Sequence, residues 1–243
     1  MDTELLKSFE PQKELNPKVW EGNKKEPKMK LEIRERLLEI AYEFIDFLDV
    51  DIVVTDIILT GSLSNYNWSK YSDFDLHIVT NFQQYQQNQI DLYEKLFNLK
   101  KMLFNQKHDI TIKEYEVELY VQNETESHFS SGVYSVLFDE WSNTPKKEDV
   151  KIDKELIKEK SKQWMNIIDD LLDTIKDEDT NTAKEMVQKY KDKLKKYRTC
   201  GLEGGGEYST ENLVFKILRR NGYIEKLHDS TTKILDKKLS MNQ

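Results

Sequence analysis

Cysteine is almost absent: Cys200 is the only one in 243 residues, which excludes a disulfide framework and a thiolate metal site and fits a reducing compartment. Proline is scarce, and three of the four (Pro11, Pro17, Pro27) fall in the first 28 residues. Positive charge is in deficit: 37 Lys and Arg face 45 Asp and Glu, a formal charge of −8 with a pI of about 5.2. That argues against a general nucleic-acid coat while leaving room for a local cationic face. No apolar run is long enough to span a bilayer, and Met1-Asp2-Thr3-Glu4 carries no signal-peptide pattern, so a soluble cytoplasmic protein is expected. Several catalytic signatures are missing as well. There is no His-x-Glu with paired cysteines, no Gly-x-Ser-x-Gly, no kinase catalytic loop and no zinc spacing.

What is present is enough for a folded chain. Mean hydropathy is only −0.75, but 12 Tyr, 10 Phe and 4 Trp are too many aromatics for disorder. Residues 1–28, charged and proline-bearing, are expected as an irregular N-terminal arm with Trp20 as its anchor. Leu37, Ile40, Ala41, Phe44 and Leu48 recur at helical spacing, predicting a helix over about 30–49. Val53–Thr60 and Phe74–Thr80 read as strands. Gln83–Asn105 reads as a helix with Leu92, Leu96, Leu99 and Leu103 on one side. Asp109–Gln122 alternates like one or two strands, and Val133–Phe138 like another, ended by Trp141 and the turn at Asn143–Pro145.

The composition shifts after Pro145. Trp164, Ile167, Ile168, Leu171, Leu172 and Ile175 form one amphipathic stripe, and Ala183, Met186, Val187, Tyr190, Leu194 and Tyr197 a second. A glycine cluster, Gly201–Gly206, follows, and a third helix is predicted from Ser209. The expected order is an arm (1–28), an α/β domain (29–145) and a helical domain (150–243).

The chemistry concentrates in residues 60–76. Thr60-Gly61-Ser62 is followed, ten residues later, by Asp73-Phe74-Asp75-Leu76. Side chains two apart on a strand point the same way, so Asp73 and Asp75 converge, and two like charges are stable together when they share a cation. A Gly-Ser turn can receive a phosphate through backbone N–H groups and a hydroxyl. These parts suggest a magnesium–nucleotide site. Downstream, Glu114, Glu116 and Glu118 alternate and are expected on one strand face. A two-metal phosphoryl-transfer site needs a third carboxylate. Glu118, between Val117 and Leu119, is the first candidate and Glu116 the second.

At these residues the chain resembles the nucleotidyltransferase superfamily that includes DNA polymerase β. The elements are Gly61-Ser62, Asp73-Phe74-Asp75-Leu76 and Val117-Glu118-Leu119, within residues 50–122. The stretches Leu15–Trp20, Ser62–His77 and Gly201–Tyr223 also look like nucleotidyltransferase-like proteins of bacteriophages. The resemblance implies an α/β (α+β) nucleotidyltransferase-type mixed sheet with flanking helices, followed by a helical domain. It implies that Gly61 and Ser62 hold the terminal phosphates of an NTP such as ATP. Asp73 and Asp75 would bind Mg²⁺ or Mn²⁺, and Glu118 would hold the catalytic metal and help deprotonate an acceptor hydroxyl. The acceptor is unassigned among RNA, protein and small molecules, with a lean to RNA or a phosphorylated acceptor.

Other residues carry two readings each. Lys70 could meet a phosphate or be an exposed lysine. His77 could touch the nucleotide or support a metal ligand, or be structural. Tyr66 and Trp68 could stack a base or pin the loop to the core. The run Lys189, Lys191, Lys193, Lys195, Lys196 and Arg198 could bind a polyanion or be a solvated helix face, and Arg198–Glu207 could be a phosphate loop or a helix cap and turn. Two rival functions remain at this level. One is a degenerate nucleotide- or partner-binding protein of the same fold. The other is a metal-dependent glycosyltransferase using Asp73-Phe74-Asp75, for which the roughly 50 residues before the strands are too few for a nucleotide-sugar domain.

Overall fold

A computed structural model describes residues 3–23, 26–126, 130–147 and 150–241; Met1, Asp2, Lys24 and Lys25 of the expected arm and the last two residues of the expected helical domain lie outside them. The chain folds as two units, Glu10–Asp149 and Met1–Phe9 with Val150–Gln243. The whole is a mixed α+β fold: a six-stranded mixed sheet with flanking helices, then a helical region.

Helix α1 (Thr3–Lys7) belongs to the helical unit. The sheet unit contains β1 (Trp20–Asn23), β2 (Glu26–Met29), α2 (Leu31–Leu48), β3 (Val54–Thr60), β4 (Phe74–Thr80) and α3 (Ile90–Lys107). It continues with β5 (Thr111–Ile112), β6 (Tyr115–Asn123), β7 (Val133–Ser135) and β8 (Glu140–Asn143). Where an irregular arm is expected, β1 and β2 form a hairpin, because Val19, Trp20 and Met29 bury their side chains.

The large sheet runs β5-β6-β4-β3-β7-β8, antiparallel except for β4 beside β6. That parallel pair is joined through α3, as a parallel crossover requires. Period-two alternation explains the sheet's two faces. Ile57 and Leu59, Phe74, Leu76 and Ile78, and Tyr115, Val117 and Leu119 are all buried on one face. They form one core with Ile33, Leu37, Ile40, Phe44 and Leu48 of α2 and Phe97 and Phe104 of α3. Full burial of each such side chain contributes about 1.5–3 kcal/mol. The residues between them, Asp75, His77, Glu118 and Tyr120 among them, take the opposite face.

Further expectations within the sheet unit need correction. Helix α3 starts at Ile90, because a short 3₁₀ turn, Phe82–Gln84, capped by the Asn81 side chain, takes up the start of the predicted helix. Its leucines do lie on one side, but outward: Leu92 is 64% and Leu99 59% exposed, while Phe97 and Phe104 make the core contact. The aromatic ring edges of Phe44 and Phe47 against Phe104 fix that orientation. Finally, Val133–Phe138 is strand only to Ser135; the chain then turns through Asp139 (φ +60°), and Trp141 sits in β8.

The second unit packs α4 (Lys154–Thr174), α5 (Thr180–Gly205), α6 (Thr210–Arg220) and α7 (Tyr223–Leu239) around Ile157, Trp164, Ile168, Leu194, Leu213 and Ile217. Asp153, Asp179 and Ser209 cap the first three of these helices with side-chain oxygens. The glycine cluster does not form a loop. Helix α5 continues to Gly205, and Gly206 ends it with φ +65°. Among the described residues no helix is long and apolar enough to cross a membrane.

Candidate active site

Asp73 ends the loop before β4, and Asp75 lies one residue inside the strand. Phe74 between them is fully buried, so both carboxylates are forced to the opposite face. Register completes the group. Asp75 pairs with Glu118 of parallel β6 on one side and with Thr60 of antiparallel β3 on the other. One ligand oxygen from each of Asp73, Asp75 and Glu118 lies within 4.8 Å of the others, and all three side chains are partly exposed. An all-oxygen donor set of three carboxylates fits a hard divalent cation such as Mg²⁺ or Mn²⁺.

The two other glutamates separate from this group. Glu114 is not in the strand: Lys113 and Glu114 (φ +51° and +74°) form the two-residue turn of the β5–β6 hairpin, and Glu114 pairs with Lys18. Glu116 stays on β6 but is exposed and outside the group. Glu118 is the glutamate brought to the aspartates.

Gly61 is tied to Asp75 by direct contact. Its φ is +74°, and a Cβ there would lie 1.8 Å from Asp75 Oδ2. Only glycine lets the turn approach the carboxylate this closely. The Gly61 carbonyl accepts from Ser64 Oγ (2.9 Å) and Asn65 Nδ2 (2.7 Å), which fixes the turn from below. The Ser62 hydroxyl donates to Ser72 Oγ at 2.7 Å, joining the two ends of the loop that separates the Gly-Ser turn from the aspartates.

That loop is clamped by the segment that precedes the helices. Trp20 Nε1 donates to Leu63 O (2.7 Å), Gln12 N to Tyr66 O (2.7 Å), and Trp68 Nε1 to Glu14 O (2.8 Å). Tyr66 and Trp68 pack against the core, so the structure gives them the pinning role rather than a free stacking face. Trp20 stacks on Trp141 with centroids 4.5 Å apart.

His77 faces the same side as the acids, one strand pair further along. Its Nε2 is 3.3 Å from Thr60 Oγ1, and its ring stacks on Tyr120 at 4.7 Å. Lys70 is exposed and lies over the Tyr71 ring at 5.2 Å.

Two further residues stand at the site that the sequence reading did not single out. The Tyr120 hydroxyl donates to Glu118 Oε2. Burial, then the charges of Asp75 and Glu118, push its phenol well above the ordinary tyrosine value. Lys101 of α3 reaches to 4.1 Å from the Tyr120 ring centroid. Burial lowers its ammonium, and Glu118 pulls the other way. An i,i+2 relation to Glu118 could have pointed to Tyr120. Nothing local points to Lys101, which arrives from another element.

No family model matches the chain, and no curated protein matches it in sequence. Among solved structures the chain is similar to the STING-associated CdnE c-di-GMP synthase from Capnocytophaga granulosa. Identity is 14% over 86% of this chain and 83% of that one, with a TM-score of 0.22. At that score the likeness transfers neither fold detail nor activity, and the resemblance to nucleotidyltransferases rests on the chain's own motif and the geometry it adopts.

Proposed function

We propose that the chain is a metal-dependent nucleotidyltransferase. It would transfer a nucleoside monophosphate from an NTP to an acceptor hydroxyl and release pyrophosphate. The observation that carries this reading is the convergence of Asp73 and Asp75, at the start of β4, with Glu118 of β6, far apart in sequence, beside a glycine turn pressed against Asp75.

Asp73, Asp75 and Glu118 would hold Mg²⁺ or Mn²⁺, with the transfer assigned to residues 29–145. Bound metal supplies charge stabilisation at the attacking and leaving oxygens of an in-line displacement. The chain's own groups do the rest. The Gly61 backbone and the Ser62 hydroxyl receive the terminal phosphates, the hydroxyl turning from Ser72 to do so. Glu118 accepts the acceptor's proton on the oxygen that Tyr120 does not occupy. Lys70 contributes a cation at the open side of the loop, and His77 orients the nucleotide from the adjacent strand pair.

Calorimetry with ATP, GTP, CTP and UTP in the presence of Mg²⁺ identifies the donor, and α-phosphate label then follows transfer. Asp73→Ala or Asp75→Ala is expected to abolish label transfer in a protein that stays folded. Full transfer by a folded Asp73→Ala/Asp75→Ala double variant would sink the proposal.

A further inference from the structure

Two motifs of the helical unit, the basic run and the glycine cluster, have no part in the carboxylate site, yet they meet in one place. Both lie on α5. Lys193, Lys196, Tyr197, Gly201 and Gly204 are spaced three and four apart, so they share one helix face. That face borders a cleft of about 650 Å³, closed on one side by Trp164 of α4 and on another by Glu211 of α6. The volume is in the range of small-ligand sites.

Two other cations of the basic run turn elsewhere. Lys191 donates to Thr231 of α7 (3.3 Å), and Arg198 donates to Asn212 (3.3 Å) and lies over the Phe215 ring. Lys193 and Lys196 are left as the cations of the cleft, with Lys193 at 5.6 Å from the Trp164 ring centroid. Trp164 and Tyr197, centroids 5.5 Å apart, make its aromatic wall.

The glycines divide by purpose. A Cβ on Gly201 would meet Glu211 Cβ at 2.4 Å, so that glycine lets the start of α6 abut α5. Gly206 ends the helix. Gly204 has no such role: nothing lies within 4 Å of where its Cβ would be. A glycine weakens a helix, and at this position packing offers no reason for it. It is exposed and borders the cleft at an open edge, where a larger side chain would reach over the opening.

We propose that this cleft binds a nucleoside monophosphate unit, either free or as the terminal residue of a single-stranded nucleic acid. The flat base lies against the Tyr197 ring, as bases do on aromatic side chains, with the buried Trp164 ring beside it as support. The phosphate sits at Lys193 and Lys196. Glu211 repels a bare phosphate from the far side and accepts from a ribose hydroxyl. This inference does not depend on the transferase reading.

The test separates the two. Calorimetry is run without divalent ions on the Asp73→Asn/Asp75→Asn protein, with AMP, GMP, CMP and UMP, the matching nucleosides, inorganic phosphate, and a hexanucleotide of the best-bound base. At least one monophosphate should bind at one site, at least tenfold tighter than its nucleoside or phosphate alone. Lys196→Glu and Gly204→Leu should each weaken it at least tenfold, with the helical circular dichroism and melting temperature retained. A hexanucleotide tenfold tighter assigns a strand end, and equal affinity assigns the free nucleotide. Absence of binding by all four monophosphates, or binding untouched by both variants, overturns the proposal.

Discussion

Gly61 and Tyr120 carry the sharpest tests at the scale of single residues. Alanine at 61 would place a methyl group where Asp75 Oδ2 lies and hold a left-handed φ of +74°. We expect Gly61→Ala to cost on the order of 1–3 kcal/mol of stability and to displace the Asp75 carboxylate. Thermal melting and Mn²⁺ titration together check it; an unchanged melting temperature with unchanged metal affinity contradicts it. Tyr120→Phe keeps the ring stacked on His77 but removes the hydroxyl that occupies Glu118 Oε2. Partners of metal ligands of this kind are worth about 10–100-fold in metal affinity. Calorimetric Mg²⁺ titration of the variant should show such a loss with the fold intact. At this scale the sequence was legible for Asp73 and Asp75, whose i,i+2 spacing strand alternation makes directional. It was blind to Lys101, because proximity between α3 and β6 is not a local property.

Among the elements, the hairpin of β1 and β2 has the largest consequence for the site. Trp20 is buried, stacks on Trp141 and donates to the Leu63 carbonyl inside the loop that carries Ser62. Trp20→Ala should therefore destabilise the sheet unit by about 3–5 kcal/mol, the usual cost of emptying a large aromatic site. Limited proteolysis should find the loop between Ser62 and Ser72 cut faster than in the parent chain. Uniform protection of that loop would show that the clamp is not needed. The strand and helix predictions for α2, β3 and β4 agreed with the structure because their apolar patterns were strong and unopposed. Helix α3 is the instructive miss. Its leucine spacing was real, but a leucine stripe and an aromatic stripe competed for the core, and ring packing against Phe44 and Phe47 decided which one turned inward.

For the whole molecule, two units with separate cores, one around the sheet and one around α4 to α7, predict two calorimetric transitions. On the proposed reading Mg²⁺ is held by the folded sheet unit and should raise its transition alone, by the equivalent of about 2.7 kcal/mol at a hundred times Kd. Asp75→Ala should erase that shift while leaving the other transition in place. A Mg²⁺ shift of equal size in the Asp75→Ala protein would move the metal elsewhere. The sequence by itself determined the acid spacing, the glycine before it and the alternation that sends carboxylates to one face, since each of these is a consequence of backbone geometry over a few residues. Only the tertiary structure decided which glutamate joins them, what holds Glu118 and Gly61 in place, and that the lysines and glycines of α5 open on one cleft. Strand register and helix packing are set by cores that neighbouring residues do not encode.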